Sequence, residues 1–228
     1  MKKPKTAIIW DLDGTLWDSC ETVAAAWNRD CQYHGIARSF HPNEIRGYCG
    51  KTLSEIAELV FPDMIKQTRE SIMERMFLAE NRPLSECGGK LFAEEQQVLA
   101  DLHARYFMAI VSNCGLGYIE SFLSGNQMNH FFDDYENAAR TGLSKGENIR
   151  LVIERNQIDF AVYIGDTSSD LFAAEVASVP FIFAAYGFGD VPNAMFQAER
   201  FHDYPDIIAR VTNRFFTNNI SNQLGHCF

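Results

Sequence analysis

Apolar and polar positions along the chain follow two rhythms. Unbroken apolar runs of strand length fall at residues 7–10, 107–111, 161–164 and 180–185, with a weaker one at 131–135. The four clear runs end in small or polar clusters: DLDGT, SNCG, GDTSSD and YGFG. Between them, residues 91–103, 146–156 and 168–177 carry helical patterns. Buried strands alternating with helices predict an α/β fold, a parallel sheet covered by helices on both faces. Ligands of such sheets sit beyond the carboxyl ends of the strands, and the polar clusters fall at those ends.

One region breaks the alternation. Residues 18–87 contain no strand-like run, only helical stretches at 20–33, 52–60 and 64–81, with Pro42, Pro62 and Pro83 expected to mark turns or helix starts. The pattern predicts a core of residues 1–17 and 88–214, an inserted helical cap of 18–87, and a polar tail of 215–228 that frays. No internal repeat is present.

Composition narrows the classes. An apolar share of 46% and a charged share of 22% over 228 residues are those of a soluble globular protein. The formal charge of −10 argues against nucleic acid or an anionic membrane as partner. No apolar run approaches the roughly 18 residues of a membrane span. The basic start, MKKPK, leads into a strand-sized run ending in acids, not a signal peptide, so a cytoplasmic location is expected. Six cysteines without CxxC spacing read as free thiols. No heptad pattern speaks to oligomeric state.

The chemistry begins at Asp11 and Asp13, which close the first strand. Carboxylates two residues apart on an extended chain point to the same side and would face one spot. A strand-end turn explains one Asp-x-Asp-Gly about as well as a site does; a second acidic cluster shifts the balance. Asp166 and Asp170 follow another strand and open a helix, with Ser168 or Ser169 as the expected N-cap. Several acids at one sheet edge need a cation, and Mg²⁺ suits carboxylates, waters and a substrate phosphate. Ser112 and Asn113, at the end of the second strand, are phosphate donors near a helix N-terminus or the residues of a plain turn. Lys145, between Gly142 and Gly146, is a solvated loop lysine or the partner of an aspartate nucleophile.

In this order, DLDGT, SN, the lysine and GDTSSD resemble the four motifs of the haloacid dehalogenase superfamily. The helical insertion and the stretch AYGFG (185–189) resemble its phosphoglycolate phosphatase-like branch. The resemblance implies a Rossmann-like core with an α-helical cap, and a Mg²⁺-dependent phosphatase acting on a small phosphorylated metabolite. It implies that Asp11 attacks phosphorus and that Asp13 serves as acid and then base. It also implies Mg²⁺ on Asp11, the Asp13 carbonyl and Asp166, with Asp170 in support, and Lys145 bridging Asp11 and the phosphate. Ser112 and amides around Leu12, Asp13 and Asn113 would bind phosphate oxygens. Arg46 and Lys51, in the cap's substrate-facing loop, would contact an anionic leaving group or be ordinary surface cations. Asp13 disfavours dehalogenase and phosphonatase chemistry, and Val23, where phosphoglucomutase-like relatives carry histidine, disfavours a mutase. Trp17 would narrow the pocket or pack at the cap hinge.

Two rivals have other mechanisms. Gly142-Leu-Ser144-Lys-Gly146 with Asp166 and His202 matches a serine-hydrolase elbow in spacing and order, but no buried strand precedes it. A non-catalytic phosphate-binding regulator would have no need of Asp13.

Overall fold

The computed structural model describes residues 4–224, with side chains to residue 217. In chain order the elements are β1 (Thr6–Trp10), β2 (Trp17–Asp18), α1 (Cys20–Tyr33), α2 (Pro42–Arg46), α3 (Leu53–Val60), α4 (Lys66–Cys87), β3 (Lys90–Leu91), α5 (Glu95–His103) and β4 (Phe107–Ser112). There follow α6 (Tyr118–Gly125), β5 (Asp134–Asn137), α7 (Ala138–Thr141), α8 (Lys145–Arg155), β6 (Phe160–Gly165), α9 (Ser168–Ala177), β7 (Phe181–Ala184), β8 (Gln197–Ala198) and α10 (Tyr204–Leu224).

β1 is buried from Ala7 to Trp10 because it is covered on both faces. Its side chains alternate between two cores, as the two-residue strand period requires. Ala7 and Ile9 pack with Val111, Tyr163, Ile149 of α8 and Ala173 of α9. Ile8 and Trp10 belong to the larger cluster with Ile110, Ile164, Leu99 of α5 and Phe122 of α6. The six-stranded sheet has the order β5-β4-β1-β6-β7-β8, and each adjacent pair is parallel. Trp10 pairs with both Ile110 and Ile164, so the carboxyl ends of β1, β4 and β6 lie within two residues of one another at one edge of the sheet.

Helices α1 to α4 occupy the stretch between β2 and β3, which pair antiparallel through Trp17–Leu91 and Asp18–Lys90. No helix among the described residues is long and apolar enough to cross a membrane. Cys20, Cys31, Cys49, Cys87 and Cys114 are free thiols, as expected; Cys227 lies outside the described residues.

Three expectations need correction. Pro83 neither starts nor ends a helix but sits inside α4. Burial of Leu84 and the Ser85–Ser121 hydroxyl contact to α6 hold α4 on course to Cys87 despite the missing amide donor. The stretch after Arg214 does not leave the fold at once: α10 continues to Leu224, because Phe215 and Phe216 pack on Phe160. The rest of the expected tail, residues 225–228, lies outside the described residues. The weak run at 131–135 yields a strand only from Asp134, since Asn129–Phe131 closes into a single 3-10 turn.

Candidate active site

Asp11 is placed by the sheet. Its amide donates to the Ile164 carbonyl at 2.8 Å, extending the β1–β6 ladder by one residue. Continuing the strand alternation, its side chain falls on the face covered by α8 and α9. There Lys145 Nζ donates to Asp11 Oδ1 at 2.8 Å and to Asp170 Oδ1 at 2.7 Å. Lys145 is the first residue of α8 and is 4% exposed, so the solvated reading fails. Burial works against its charge, but Asp11 and Asp170 outweigh burial and hold the ammonium protonated.

Asp170 reaches this point through a capping box. Thr167, not Ser168 or Ser169, is the N-cap of α9; its amide and hydroxyl donate to Asp170 Oδ2 at 3.0 and 2.6 Å. Tyr163 OH adds a donor to Asp170 Oδ1 at 3.3 Å, so both oxygens of this carboxylate have protein partners. Asp166 differs. Its Oδ2 accepts the amides of Phe188 and Gly189 at 2.7 and 3.3 Å, whereas its buried Oδ1 has no partner. The approach is tight enough to require glycine. A Cβ on Gly14, whose φ is +78°, would stand 2.2 Å from Asp166 Oδ2, and one on Gly187 would stand 2.3 Å from Asp166 Cβ.

Asp11, Asp166 and Asp170 each bring one carboxylate oxygen within 4.8 Å of the others. With Lys145 they carry a formal charge of −2. Burial, then the Asp170 charge, pushes Asp11 well above the usual carboxylate range against the opposing pull of Lys145. The same two causes raise Asp166 to about 7, opposed by the Phe188 amide. An all-oxygen set with an orphaned buried carboxylate oxygen fits a small hard divalent cation.

Asp13 turns elsewhere. The sequence put the two acids on one spot, but the chain does not stay extended. Thr15, Leu16 and Trp17 amides all fold back onto the Leu12 carbonyl, and Gly14 adopts its left-handed conformation. Asp13 Oδ1 therefore faces three donors: Trp17 Nε1 at 2.9 Å, Ser19 Oγ at 2.9 Å and Tyr118 OH at 2.8 Å. Burial raises its carboxyl above the usual range, with Tyr118, Ser19 and Trp17 opposing.

Asp13 and Ser112 open onto a cavity of about 60 Å³ roofed by the helical block, with Val23, Trp27, Glu80 and Lys51 among its lining residues. Ser112 is buried in its lining, Leu12 is buried in the larger core cluster, and Asn113 Nδ2 donates across to the Gly50 carbonyl at 3.1 Å. Arg46 is not part of this lining. It donates to Asp18 Oδ2 at 2.7 Å and lies 4.9 Å over the Phe188 ring, bracing the hinge.

A model of the haloacid dehalogenase-like hydrolase family matches residues 8–184. The chain belongs to that family. Among curated relatives, phosphoglycolate phosphatase of Colwellia psychrerythraea is 27% identical over 195 residues, covering 81% of this chain and 86% of the relative. The Aquifex aeolicus protein of the same name is 25% identical over 186 residues, covering 79% and 85%. A crystal structure titled as a predicted phosphoglycolate phosphatase from Haemophilus somnus superposes with a TM-score of 0.75 at 17% identity, covering 91% of this chain and 100% of that one. At that identity the superposition speaks to the fold.

The structure thus brings Asp11, Lys145, Asp166 and Asp170 together and leaves Asp13 in its own donor set. Sequence reasoning missed Tyr118, Tyr163, Thr167 and the Phe188 and Gly189 amides as parts of the site. Only Thr167 had a local signal, the capping-box spacing to Asp170. The serine-elbow rival fails. Ser144 follows a helical turn, caps α8 through Glu147, and His202 pairs with Glu94 and Asp203.

Proposed function

We propose that the protein is a Mg²⁺-dependent phosphatase that hydrolyses a small phosphomonoester through a phosphorylated Asp11. The observation that carries this reading is the division of labour between two neighbouring acids. Asp11 is fixed beside Lys145 and the carboxylate cluster, while half-buried Asp13 lines the cavity with its carboxyl raised. A phosphate held at Ser112 and the amides around Leu12, Asp13 and Asn113 would present phosphorus to Asp11. Lys145 keeps its positive charge there and neutralises both the nucleophile and the phosphate oxygens. Asp13 then gives its proton to the departing alcohol and takes one back from the water that cleaves the acyl phosphate.

Asp11, Asp166 and the Asp13 carbonyl would hold Mg²⁺, with Asp170 acting mainly by fixing Lys145. The ion supplies charge neutralisation for the transferring phosphoryl group. The relatives are named for phosphoglycolate, a two-carbon phosphate, and a small cavity suits a leaving group of that size. Val23, an apolar side chain in the lining where a mutase needs a proton shuttle, favours hydrolysis over phosphosugar isomerisation.

Phosphate release from acetyl phosphate and p-nitrophenyl phosphate should require Mg²⁺, stop with EDTA, and vanish in Asp11→Asn. Robust turnover by Asp11→Asn would sink the covalent route.

A further inference from the structure

The cavity contains a carboxyl that the proposed chemistry does not use. Glu80, from α4, is 3% exposed and lines the cavity together with Asp13. Its Oε2 accepts from Trp27 Nε1. Trp27 is itself held between the rings of Tyr48 and Phe77, at centroid distances of 6.3 and 5.9 Å. The carboxyl is therefore locked in place in the helical wall. The surrounding wall is apolar at Val23, Ile45, Ile56 and Phe77, and Lys51 is the cation among the lining residues. Arg46, the other cation of that loop, is spent on Asp18 and on the Phe188 ring.

We propose that Glu80 selects the leaving group, and that the substrate's non-phosphate end carries a hydrogen-bond donor, a hydroxyl or an ammonium, and not a carboxylate. The inference rests on the phosphatase reading above and adds the substrate class. A carboxylate entering this cavity would meet two carboxyls, half-buried Asp13 and buried Glu80, with Lys51 as the cation among the lining residues and without the bidentate guanidinium that carboxylate recognition ordinarily uses. Burying such a charge where acids outnumber cations is costly. A donor meets an acceptor already fixed by Trp27. Burial, opposed by the Trp27 bond, holds the Glu80 carboxyl well above the usual range. An oxygen of this carboxyl can accept from a hydroxyl, and from an ammonium once the carboxyl gives up its proton.

Three phosphates of nearly equal size separate the possibilities: 2-hydroxyethyl phosphate, 2-aminoethyl phosphate and phosphoglycolate. The wild-type protein with Mg²⁺ should turn over one of the first two with kcat/KM at least about tenfold above phosphoglycolate, the scale of one buried charged hydrogen bond. Which of the two leads identifies the donor. Glu80→Gln keeps an acceptor for Trp27 and nearly the same volume, and should compress that preference about tenfold, mainly through KM. Phosphoglycolate as the best of the three in the wild type would overturn the proposal without reference to any variant. So would an unchanged ranking in Glu80→Gln. Acetyl phosphate, which has no such end to read, is the control. Its Mg²⁺-dependent hydrolysis by the wild type, with the wrong ranking among the three esters, defeats this inference alone. Failure with all four phosphates defeats the phosphatase reading as well.

Discussion

At the scale of single residues the site turns on how two carboxylates are kept apart. Trp17, Ser19 and Tyr118 all point donors at Asp13 Oδ1. With that oxygen saturated as an acceptor, a proton carried by Asp13 belongs on Oδ2. Removing one donor should loosen Asp13, the proposed acid, without touching Asp11, the proposed nucleophile. Tyr118→Phe is expected to lower kcat/KM for alkyl phosphates about tenfold. The loss should be smaller for acetyl phosphate, whose leaving group departs without a proton. Equal losses for both would mean that Tyr118 serves packing alone. That Asp11, Asp166, Asp170 and Lys145 come together was legible because their motifs all fall at strand or helix ends on one sheet edge, although a plain turn explains each about as well alone. Tyr118 was not. It lies 105 residues from Asp13 and looks like any apolar helix residue until the fold brings it back. Arg46 reads equally as ligand or surface cation, since nothing in the sequence places Asp18 opposite it.

At the scale of elements, position depends on ties between neighbours in the sheet and its covering helices. α8, which carries Lys145 at its first position, is tied to β5 at its far end. Arg155 donates to Glu136 Oε2 at 2.6 Å, and Arg140 donates to Glu136 Oε1 at 2.7 Å. Burial pushes the Glu136 carboxyl up, but the Arg140 and Arg155 bonds outweigh it and hold the group below its usual 4.5. A depressed carboxylate gives stability that is present above its unfolded value and lost as pH falls through the folded one. Wild-type Tm should therefore drop as pH is lowered below about 4.5. In Glu136→Gln the Tm should start lower at neutral pH, and this tie should add nothing to its acid slope. Parallel slopes in thermal melts from pH 6 to 3 would refute the linkage. The alternating strands and helices were readable because two-residue and helical periods differ plainly. β2, β3 and β8 were not, since each has two residues and owes its pairing to its neighbour instead of its own pattern.

At the scale of the whole molecule, the carboxylate cluster is a source of instability that the proposed Mg²⁺ should relieve. Burial and Asp170 raise Asp166 to about 7, so the metal-free protein should lose stability as pH rises from about 4 toward 7 and the proton is given up. Asp166→Asn keeps an acceptor for the Phe188 amide. It should melt higher than the metal-free wild type at pH 8 and respond little to Mg²⁺. The wild type should gain about 5–10 °C when Mg²⁺ reaches about a hundred times its dissociation constant. An unchanged wild-type Tm across a Mg²⁺ titration would contradict the site. The same scale gives meaning to the smallest sheet in the molecule. β2 leaves the core and β3 returns to it side by side, paired through Trp17–Leu91 and Asp18–Lys90. The helical segment between them is also seated on the core, where Asn81 and Ser85 of α4 bond to the Leu116 carbonyl and Ser121, and where Asn113 reaches the Gly50 carbonyl. Two short strands tie its ends, and α6, which also carries Tyr118, bears its weight. A change in the segment that shifts α4 on α6 should therefore be felt at Asp13 through Tyr118.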